Sequence, residues 1–320
     1  MRYKNFERYL PEIKSGSLPD FWDKEKSDEF YEPSDELAAA VNTALALGMP
    51  LLLTGEPGTG KSRLAHHLAK YFELGKPIEF VSQTTSTKKD LFYNYRALEH
   101  FHYTQINHKE VEPSFVEDKF IDYQALGLAI ILASDKKSPK RSIVLIDEID
   151  KAPRDFPNDL LVSLEKLEFD VPEIGGNNNT RSCPKRLSPI IIITSNSEKN
   201  LPDAFLRRVV YHHITFPKQP KLLKILQGKK LINFDQAELD ELLNHFLHLR
   251  ENIVLTKKPA TAELIAWAAL LSKTNFPAMK INTPEKLERK DRLFLTSSYG
   301  VLAKNKEDLD KMISQAEKNG

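Results

Sequence analysis

Two kinds of hydrophobic pattern alternate along most of the chain. Continuous or alternating apolar residues are typical of strands, and apolar residues spaced about three to four apart are typical of helices. The strand pattern covers residues 51–54, 78–81, 142–147, 189–196 and 211–216. The helix pattern covers residues 34–48, 63–72, 88–93, 123–133 and 158–168. This alternation predicts a parallel sheet with helices on both faces.

The pattern changes after Pro217 and Pro220. Helical spacing then recurs at 222–226, 237–249, 260–272 and 302–316, and no strand pattern separates these segments. We therefore predict a small all-helical domain after the sheet-containing core. The predicted divisions are an N-terminal extension at 1–28, a core at 29–218 and a helical domain at 219–320.

Residues 94–105 are less regular than the segments around them. Tyr95, Phe101 and Tyr103 lie at odd-numbered positions within this stretch, so that an alternating pattern can be drawn through it. Such alternation favours extended chain over helix. We predict a β-hairpin here.

Composition limits the class of protein. Apolar residues make up 41% of the chain and charged residues 28%, as in a soluble globular protein. The net charge of +1 gives no overall attraction for nucleic acid or an anionic membrane. Cys183 is the single cysteine, so the chain holds no internal disulfide. Its first residues lack the apolar stretch of a signal peptide and no apolar run reaches the ~18 residues of a membrane span, so we expect a cytoplasmic protein without a membrane span.

A glycine-rich segment follows the first predicted strand and leads into a helix. Gly55, Gly60, Lys61 and Ser62 satisfy G-x-x-x-x-G-K-[ST], the phosphate-binding loop. Glycines allow backbone amides to approach phosphates, the lysine reaches the terminal phosphates, and the Ser62 hydroxyl holds Mg²⁺. The candidate nucleotide-binding residues are Gly55, Glu56, Pro57, Gly58, Thr59, Gly60, Lys61, Ser62 and Arg63.

Two acids close the apolar strand at 142–147. Ligands of open α/β sheets bind at the carboxyl ends of strands, where this strand delivers Asp147 and Glu148. Asp147 is the candidate ligand of Mg²⁺ together with Ser62. Glu148 is the candidate general base that polarises the water attacking the terminal phosphate of ATP.

With these motifs the chain resembles the AAA+ ATPases, and within them the MoxR-type ATPases. The resemblance covers roughly residues 30–275 and is carried by segments 55–62, 145–152, 156–161, 193–196, 201–208 and 258–264. It implies a three-layer P-loop AAA+ core with a C-terminal helical lid. It also implies Mg²⁺-dependent ATP hydrolysis in a homo-oligomer, a hexameric ring.

The resemblance assigns roles to three further residues. Asn196 matches the sensor that orients the attacking water. Arg208 best matches the arginine finger, which projects into the nucleotide site of the neighbouring subunit, and Arg207 is the alternative. A cation at that place stabilises charge in the transition state of phosphoryl transfer.

The chain departs from the pattern at the second sensor. Many AAA+ proteins carry an arginine at the start of a lid helix, whereas segment 257–263 contains Lys257 and Lys258 and no arginine. Lys258 could reach the phosphates, but lysine lacks the bidentate geometry of arginine. A surface lysine pair before a helix is the alternative.

The resemblance also places hairpin insertions at about 94–105 and 169–186. In related proteins such hairpins contact the client protein, so Tyr95, Phe101 and Tyr103 are candidate client contacts, and packing onto the core is the alternative. MoxR-type ATPases resemble chaperones that remodel or activate partner complexes. A protein with a von Willebrand A-type domain is the partner that this resemblance implies.

Two other functions stay open. A nucleic-acid motor or loader would need a dense basic stripe with aromatic residues, whereas the basic clusters at 136–141 and 218–230 are modest. A regulatory switch would bind ATP and turn it over slowly. Glu148, Asn196 and Arg208 argue against an inactive site, and the missing second-sensor arginine keeps the switch open as an alternative.

Overall fold

The computed structural model describes residues 30–107, 112–175, 179–197 and 201–318. These residues form two compact units, which we call the α/β unit and the helical unit. The α/β unit comprises residues 33–56 and 61–214, and the helical unit comprises the described residues up to 32, residues 57–60 and residues from 215 onward. The predicted extension at 1–28 lies outside the described residues, and the domain boundary predicted between 218 and 219 lies close to the unit boundary at 214.

Nine strands occur among the described residues. In chain order they are β1 (Leu51–Gly55), β2 (Ile78–Val81), β3 (Tyr93–Tyr95), β4 (Ile121–Tyr123), β5 (Ile143–Asp147), β6 (Glu168–Asp170), β7 (Thr180–Ser182), β8 (Ile190–Thr194) and β9 (Val210–Ile214). Five of them form one sheet in the order β2-β5-β8-β1-β9, and every neighbouring pair in it is parallel. Two small antiparallel sheets pair β3 with β4 and β6 with β7.

The α-helices of the α/β unit are α1 (Asp35–Leu47), α2 (Lys61–Tyr71), α3 (Lys88–Phe92), α4 (Ala97–Asn107), α5 (Pro113–Phe120), α6 (Ala125–Ser134), α7 (Phe156–Lys166) and α8 (Asp203–Leu206). Those of the helical unit are α9 (Gln219–Gln227), α10 (Gln236–Glu251), α11 (Thr261–Lys273), α12 (Arg289–Ser298) and α13 (Lys306–Lys318). None of these described helices is both long and apolar enough to cross a membrane.

The sheet places the carboxyl ends of its central strands side by side. Strands β1 and β8 are buried along their whole length and β5 along all but its last residue, as their continuous apolar runs predict. Ile146 is in register with Ile193 and Leu53 with Thr194. The residues that follow each strand therefore meet at one edge of the sheet. A parallel sheet flanked by helices and a C-terminal set of helices confirm the predicted α/β architecture.

The hairpin predicted at 94–105 is wrong. Tyr95 ends β3, which pairs with β4, and residues 97–107 form helix α4. His100 stacks on Phe120 at 4.6 Å between ring centroids, and Tyr103 contacts the same ring at 5.8 Å. These two positions are three apart, which places them on one helical face. The alternation through Phe101 misled the prediction because aromatic residues occupy both the packed and the exposed side of a short helix.

The second predicted insertion contains an antiparallel pair. β6 and β7 pair with Phe169 opposite Arg181. Phe169 stacks on Phe92 with ring centroids 4.8 Å apart, so this pair packs against the core of the α/β unit. Residues 176–178, which include part of the predicted turn, lie outside the described residues.

The helical unit has its own apolar core. Trp267, Tyr299 and Phe246 are fully buried in it. His245 is buried among them, where its Nδ1 pairs with Oδ1 of Asn282 at 3.0 Å and its Nε2 with the Tyr299 hydroxyl at 2.7 Å. Helix α12, which the hydrophobic pattern did not predict, contributes Leu295 to this core.

Candidate active site

The segment between β1 and α2 has the backbone of a phosphate-binding loop. Gly58 and Gly60 have φ angles of +77° and +90°, a region that favours glycine because it has no Cβ. Helix α2 begins at Lys61, directly after the loop. Because the first turn of a helix has unsatisfied amides and a partial positive charge, this arrangement suits an anion.

Lys61 is a buried cation with neutral partners. Its side chain is 7% exposed. Nζ donates hydrogen bonds to the carbonyl oxygens of Gly55 at 2.8 Å and Glu56 at 3.1 Å, and to Oδ1 of Asn196 at 2.9 Å. Burial lowers the pKa of Lys61, while the acids at 147, 148 and 150 oppose that shift. In the described ranges no carboxylate forms an ion pair with Lys61, so an incoming phosphate would be its first anionic partner.

Ser62, Asp147 and Thr194 form a hydrogen-bonded chain at the edge of the sheet. The Ser62 hydroxyl donates to Oδ1 of Asp147 at 2.8 Å. The Thr194 hydroxyl donates to the same oxygen and accepts the backbone N–H of Glu148 at 2.9 Å. Thr194 at the end of β8 therefore holds the carboxylate of Asp147, the last residue of β5, and the backbone of Glu148.

The residues present fit a magnesium ion. Mg²⁺ prefers oxygen ligands and is usually bound by one or two carboxylates together with substrate phosphates. Ser62 and Asp147 offer a hydroxyl and a carboxylate oxygen that are within hydrogen-bond distance of each other. Both lie at the carboxyl edge of the sheet beside the start of α2, where phosphates would bind.

Glu148 has an unusual backbone and an unpredicted partner. Its φ and ψ of 56° and 47° lie in the left-handed region, which a residue with a side chain seldom adopts. Such strain is concentrated at functional sites. Oε2 of Glu148 accepts a hydrogen bond from Nζ of Lys151 at 2.5 Å, and both side chains are partly exposed.

Asp150 supports the segment that carries Asn196. One oxygen of Asp150, Oδ1, accepts the backbone N–H of Asn196 at 3.1 Å and the hydroxyl of Ser195 at 3.1 Å. The position of the Asn196 side chain is thus set from two sides, by Asp150 through its backbone and by Lys61 through its amide oxygen.

Comparison with known proteins identifies the family. A family model described as an AAA domain of the dynein-related subfamily matches residues 50–209, which is half of the chain. This chain belongs to the AAA domain family. The match includes the loop at 55–62 and the two acids Asp147 and Glu148. The predicted AAA+ fold class, an α/β core with C-terminal helices, is confirmed.

Sequence similarity to one solved AAA domain is low. A crystal structure of the FIGL-1 AAA domain in complex with ADP matches at 16% sequence identity with a TM-score of 0.42, covering 85% of this chain and 78% of that chain. No curated protein matches the chain.

Three residues of this AAA domain contact the candidate catalytic side chains and were not predicted from the sequence. They are Thr194, Asp150 and Lys151. The hydrophobic pattern did contain a signal for Thr194, because a polar residue ends an otherwise apolar buried strand. Asp150 and Lys151 lie in a short 3-10 helix after β5, and only the fold shows that one turns toward β8 and the other toward Glu148.

The two candidate arginine fingers of the AAA domain lie just after α8. Arg208 donates from Nε to Glu165 at 2.6 Å and from Nη1 to the carbonyl oxygen of Ala204 at 3.1 Å, and its side chain is 46% exposed. Arg207 is exposed. Among the described residues, no hydrogen bond or ion pair joins either arginine to Lys61 or Glu148.

The remaining candidates lie at separate places. Arg63 is in the first turn of α2 and is half-buried. Lys258 is exposed and belongs to the helical unit, where it precedes α11. Of the candidate client contacts, Tyr95 and Tyr103 make aromatic contacts within the α/β unit, and Phe101 is 58% exposed.

Proposed function

We propose that this AAA domain protein is a Mg²⁺-dependent ATPase of the MoxR type. The observation that carries the proposal is the junction of four residues at the edge of the sheet. Lys61 donates a hydrogen bond to Asn196, and Ser62 donates one to Asp147. A cation for phosphates, an oxygen pair for a metal and an amide that can orient water are the parts that ATP hydrolysis needs.

The proposed chemistry divides among these residues. Lys61 exchanges its bonds to the carbonyl oxygens of Gly55 and Glu56 for the terminal phosphates of ATP. Ser62 and Asp147 hold Mg²⁺, which neutralises developing phosphate charge when bound. Glu148 accepts a proton from the water that attacks the γ-phosphorus, as the bond to the bridging oxygen of ADP breaks.

Two further proposals concern assembly. The exposed Arg208 acts as the arginine finger of the neighbouring subunit, with Arg207 as the alternative, and the subunits form a ring of six. The support is the match of segment 201–208 to the MoxR pattern and the exposure of both arginines. A finger that serves another subunit has no need of contact with the phosphate loop of its own chain.

The biological output is proposed to be remodelling or activation of a partner protein complex. The support is the resemblance of segments 156–161 and 258–264 to MoxR-type ATPases, which implies a partner with a von Willebrand A-type domain. Phe101 is the proposed client contact, because it is 58% exposed on α4 together with Leu98 and Ile106. Tyr103 is 36% exposed and also contacts Phe115 and Phe120, so packing within the α/β unit is the alternative for it. Copurification of the tagged chain with products of neighbouring genes would identify the partner.

Substitution of Lys61 tests the ATPase proposal. Lys61→Ala removes the charge that offsets the phosphates, and ATP affinity is expected to fall at least about a hundredfold. Lys70→Ala is a matched control, because Lys70 lies in the last turn of the same helix and is exposed. Equal calorimetric affinity of wild type and Lys61→Ala for ATP would overturn the proposal.

A slow regulatory switch is the second candidate, and one observation favours it. Glu148 is paired with Lys151, and this pair must open before the carboxylate can polarise water. If the pair restrains turnover, Lys151→Ala will hydrolyse ATP several-fold faster than wild type. Unchanged turnover would argue against the switch.

A further inference from the structure

The general base and the water-orienting amide of the proposed reaction come from different strands of the α/β unit. Glu148 follows β5, and Asn196 lies two residues beyond β8. Both groups have to act on one water molecule, so the distance between them has to be fixed. Thr194 at the end of β8 bonds the backbone N–H of Glu148, but Asn196 lies farther along the chain. The position of Asn196 relative to Glu148 therefore depends on contacts made beyond the strand.

The left-handed backbone of Glu148 turns the chain at the end of β5. The 3-10 helix Ile149–Lys151 follows directly, and Ile149 is buried. Asp150 is the middle residue of that helix, and its Oδ1 accepts the backbone N–H of Asn196 at 3.1 Å. Because Asp150 is only two residues from Glu148, this bond ties the backbone of Asn196 to the segment that carries the base.

The turn at 195–197 has hydrogen bonds of its own. The Ser195 hydroxyl donates to the carbonyl oxygen of Ser197 at 2.6 Å and accepts the backbone N–H of Ser197 at 3.2 Å. The backbone N–H of Ser195 donates to the carbonyl oxygen of Leu53 in β1 at 2.9 Å. These bonds close the turn and attach it to β1. The carboxylate of Asp150 adds a different connection, from the turn to the segment after β5.

The side chain of Asn196 is oriented from the other direction. Nζ of Lys61 can only donate, so it is the amide oxygen of Asn196 that faces it, and the amide nitrogen is left to donate to water. Lys61 thus sets the direction of the amide, whereas Asp150 sets the place of the backbone from which the amide extends.

We propose that Asp150 is a positioning residue that sets the distance between the amide of Asn196 and the carboxylate of Glu148 at the attacking water. The inference rests on the proposed ATPase function. A misplacement of about 1 Å can cost on the order of a hundredfold in rate, so a single bond to the backbone of Asn196 has a large effect on turnover.

A purely electrostatic role for Asp150 is the alternative. Burial lowers the pKa of Lys61, and the charge of Asp150 is one of three that oppose this shift. In that case the negative charge of residue 150 would matter, and the exact place of its oxygen would not. The two roles predict opposite results for two conservative substitutions.

Substitutions at Asp150 separate position from charge. Turnover at saturating ATP and calorimetric affinity for a non-hydrolysable ATP analogue are measured on the full chain. Asp150→Ala is expected to lower turnover about a hundredfold and to leave affinity nearly unchanged, because Lys61, Ser62 and Asp147 are unaltered. Asp150→Asn keeps an acceptor oxygen in the same place without the charge and should stay close to wild type. Asp150→Glu keeps the charge and moves the oxygen by about 1.5 Å, so it should resemble Asp150→Ala.

The effect should also disappear when the amide is absent. In an Asn196→Ala background, Asp150→Ala is expected to lower turnover little further, because Asp150 acts through the side chain of Asn196. Glu117→Ala is a matched control, since it removes a half-buried carboxylate that accepts hydrogen bonds from Tyr123 and Arg181 in the same unit. This control should lose stability in urea titrations and keep the turnover of wild type.

The outcomes separate this inference from the proposed function. Unchanged turnover in Asp150→Ala, rescue by glutamate and not by asparagine, a full further loss in the Asn196→Ala background, or an equal loss in Glu117→Ala would each overturn the inference. If Asp150→Ala does not fold by circular dichroism, the contrast between Asp150→Asn and Asp150→Glu decides the test. ATP hydrolysis that depends on Lys61 would leave the ATPase proposal standing in all these cases, and failure of wild type to hydrolyse ATP would overturn both.

Discussion

Lys61 donates a hydrogen bond to Oδ1 of Asn196 at 2.9 Å, which joins the first turn of α2 to the end of β8. The contact links the group proposed to bind phosphate with the group proposed to orient water. Because the amide oxygen accepts from Lys61, the amide nitrogen of Asn196 remains as a donor. A negative charge at residue 196 would therefore act directly on the ammonium group of Lys61.

Asn196→Asp is expected to weaken ATP binding about tenfold. The new carboxylate would form an ion pair with Lys61, which raises the pKa of Lys61 and competes with phosphate for the same ammonium group. Asn196→Ala is the control, because it removes the oxygen without adding charge and should lower turnover more than affinity. In calorimetry, the Asn196→Asp variant should bind ATP more weakly than the Asn196→Ala variant. The reverse order of affinities would contradict this explanation.

Thr194→Val should impair both turnover and stability. The substitution keeps the shape of the side chain and removes the hydroxyl that bonds Asp147 and the backbone of Glu148. Among the described residues, the half-buried carboxylate of Asp147 would keep only its hydrogen bond from Ser62, and the backbone N–H of Glu148 would lose its acceptor. This loss is expected to cost about 1–3 kcal/mol in the free energy of unfolding. Thr194→Ser keeps the hydroxyl and should remain close to wild type in urea titrations and ATPase assays. Equal stability and equal ATPase activity of the Thr194→Val and Thr194→Ser variants would show that the hydroxyl hydrogen bonds of Thr194 have no role.

The sequence was most informative where chain pattern and chemistry coincide. A continuous apolar run is typical of a buried parallel strand, so the fold class was predictable. The glycines follow β1 and the two acids lie at the end of β5, so the candidate site was predictable at the carboxyl edge of the sheet. Thr194 was harder, because its two hydrogen bonds join residues far apart in the chain. Helix α4 was missed because a few aromatic positions satisfy both a period of about two and a helical face.

The helical unit should lose stability as the pH falls from about 6.5 to about 4. Burial, with His248 as a smaller cause, lowers the pKa of His245 to about 4, although the hydrogen bond with Asn282 opposes this. The unfolded chain binds the proton more strongly than the folded chain, so the stabilisation is complete above the unfolded pKa. The contribution of His245 to the free energy of unfolding declines by about 1.4 kcal/mol per pH unit as the pH falls through this range. The total loss is on the order of 3 kcal/mol.

Urea unfolding at several pH values measures this dependence. Trp267 lies 6.0 Å from His245 between ring centroids and reports on this core, with Trp22→Phe used to remove the other tryptophan signal. His245→Gln should flatten the pH dependence, whatever its effect on absolute stability. An equally steep dependence in that variant would assign the effect to other groups.

A shared active site predicts that two inactive proteins restore activity when mixed. Glu148→Gln should bind ATP and not hydrolyse it, because the amide cannot accept the proton of the attacking water. Arg208→Ala should keep its affinity for ATP and lose turnover on the order of 10³-fold, because the proposed finger would act on the neighbouring subunit. In a mixed ring, some interfaces pair an intact Glu148 with an intact Arg208 of the next subunit.

Partial ATPase activity should therefore reappear on mixing, and wild-type activity per subunit should rise with protein concentration as rings form. To act as the proposed finger, the Arg208 side chain, which is 46% exposed, would have to leave its ion pair with Glu165. Exposed ion pairs contribute little to stability, so this cost is small. Arg207→Ala is the control, and greater damage from it would identify Arg207 as the finger. No recovery in rings shown by mass measurement to be mixed would count against a shared site, and full activity of a monomer would refute it.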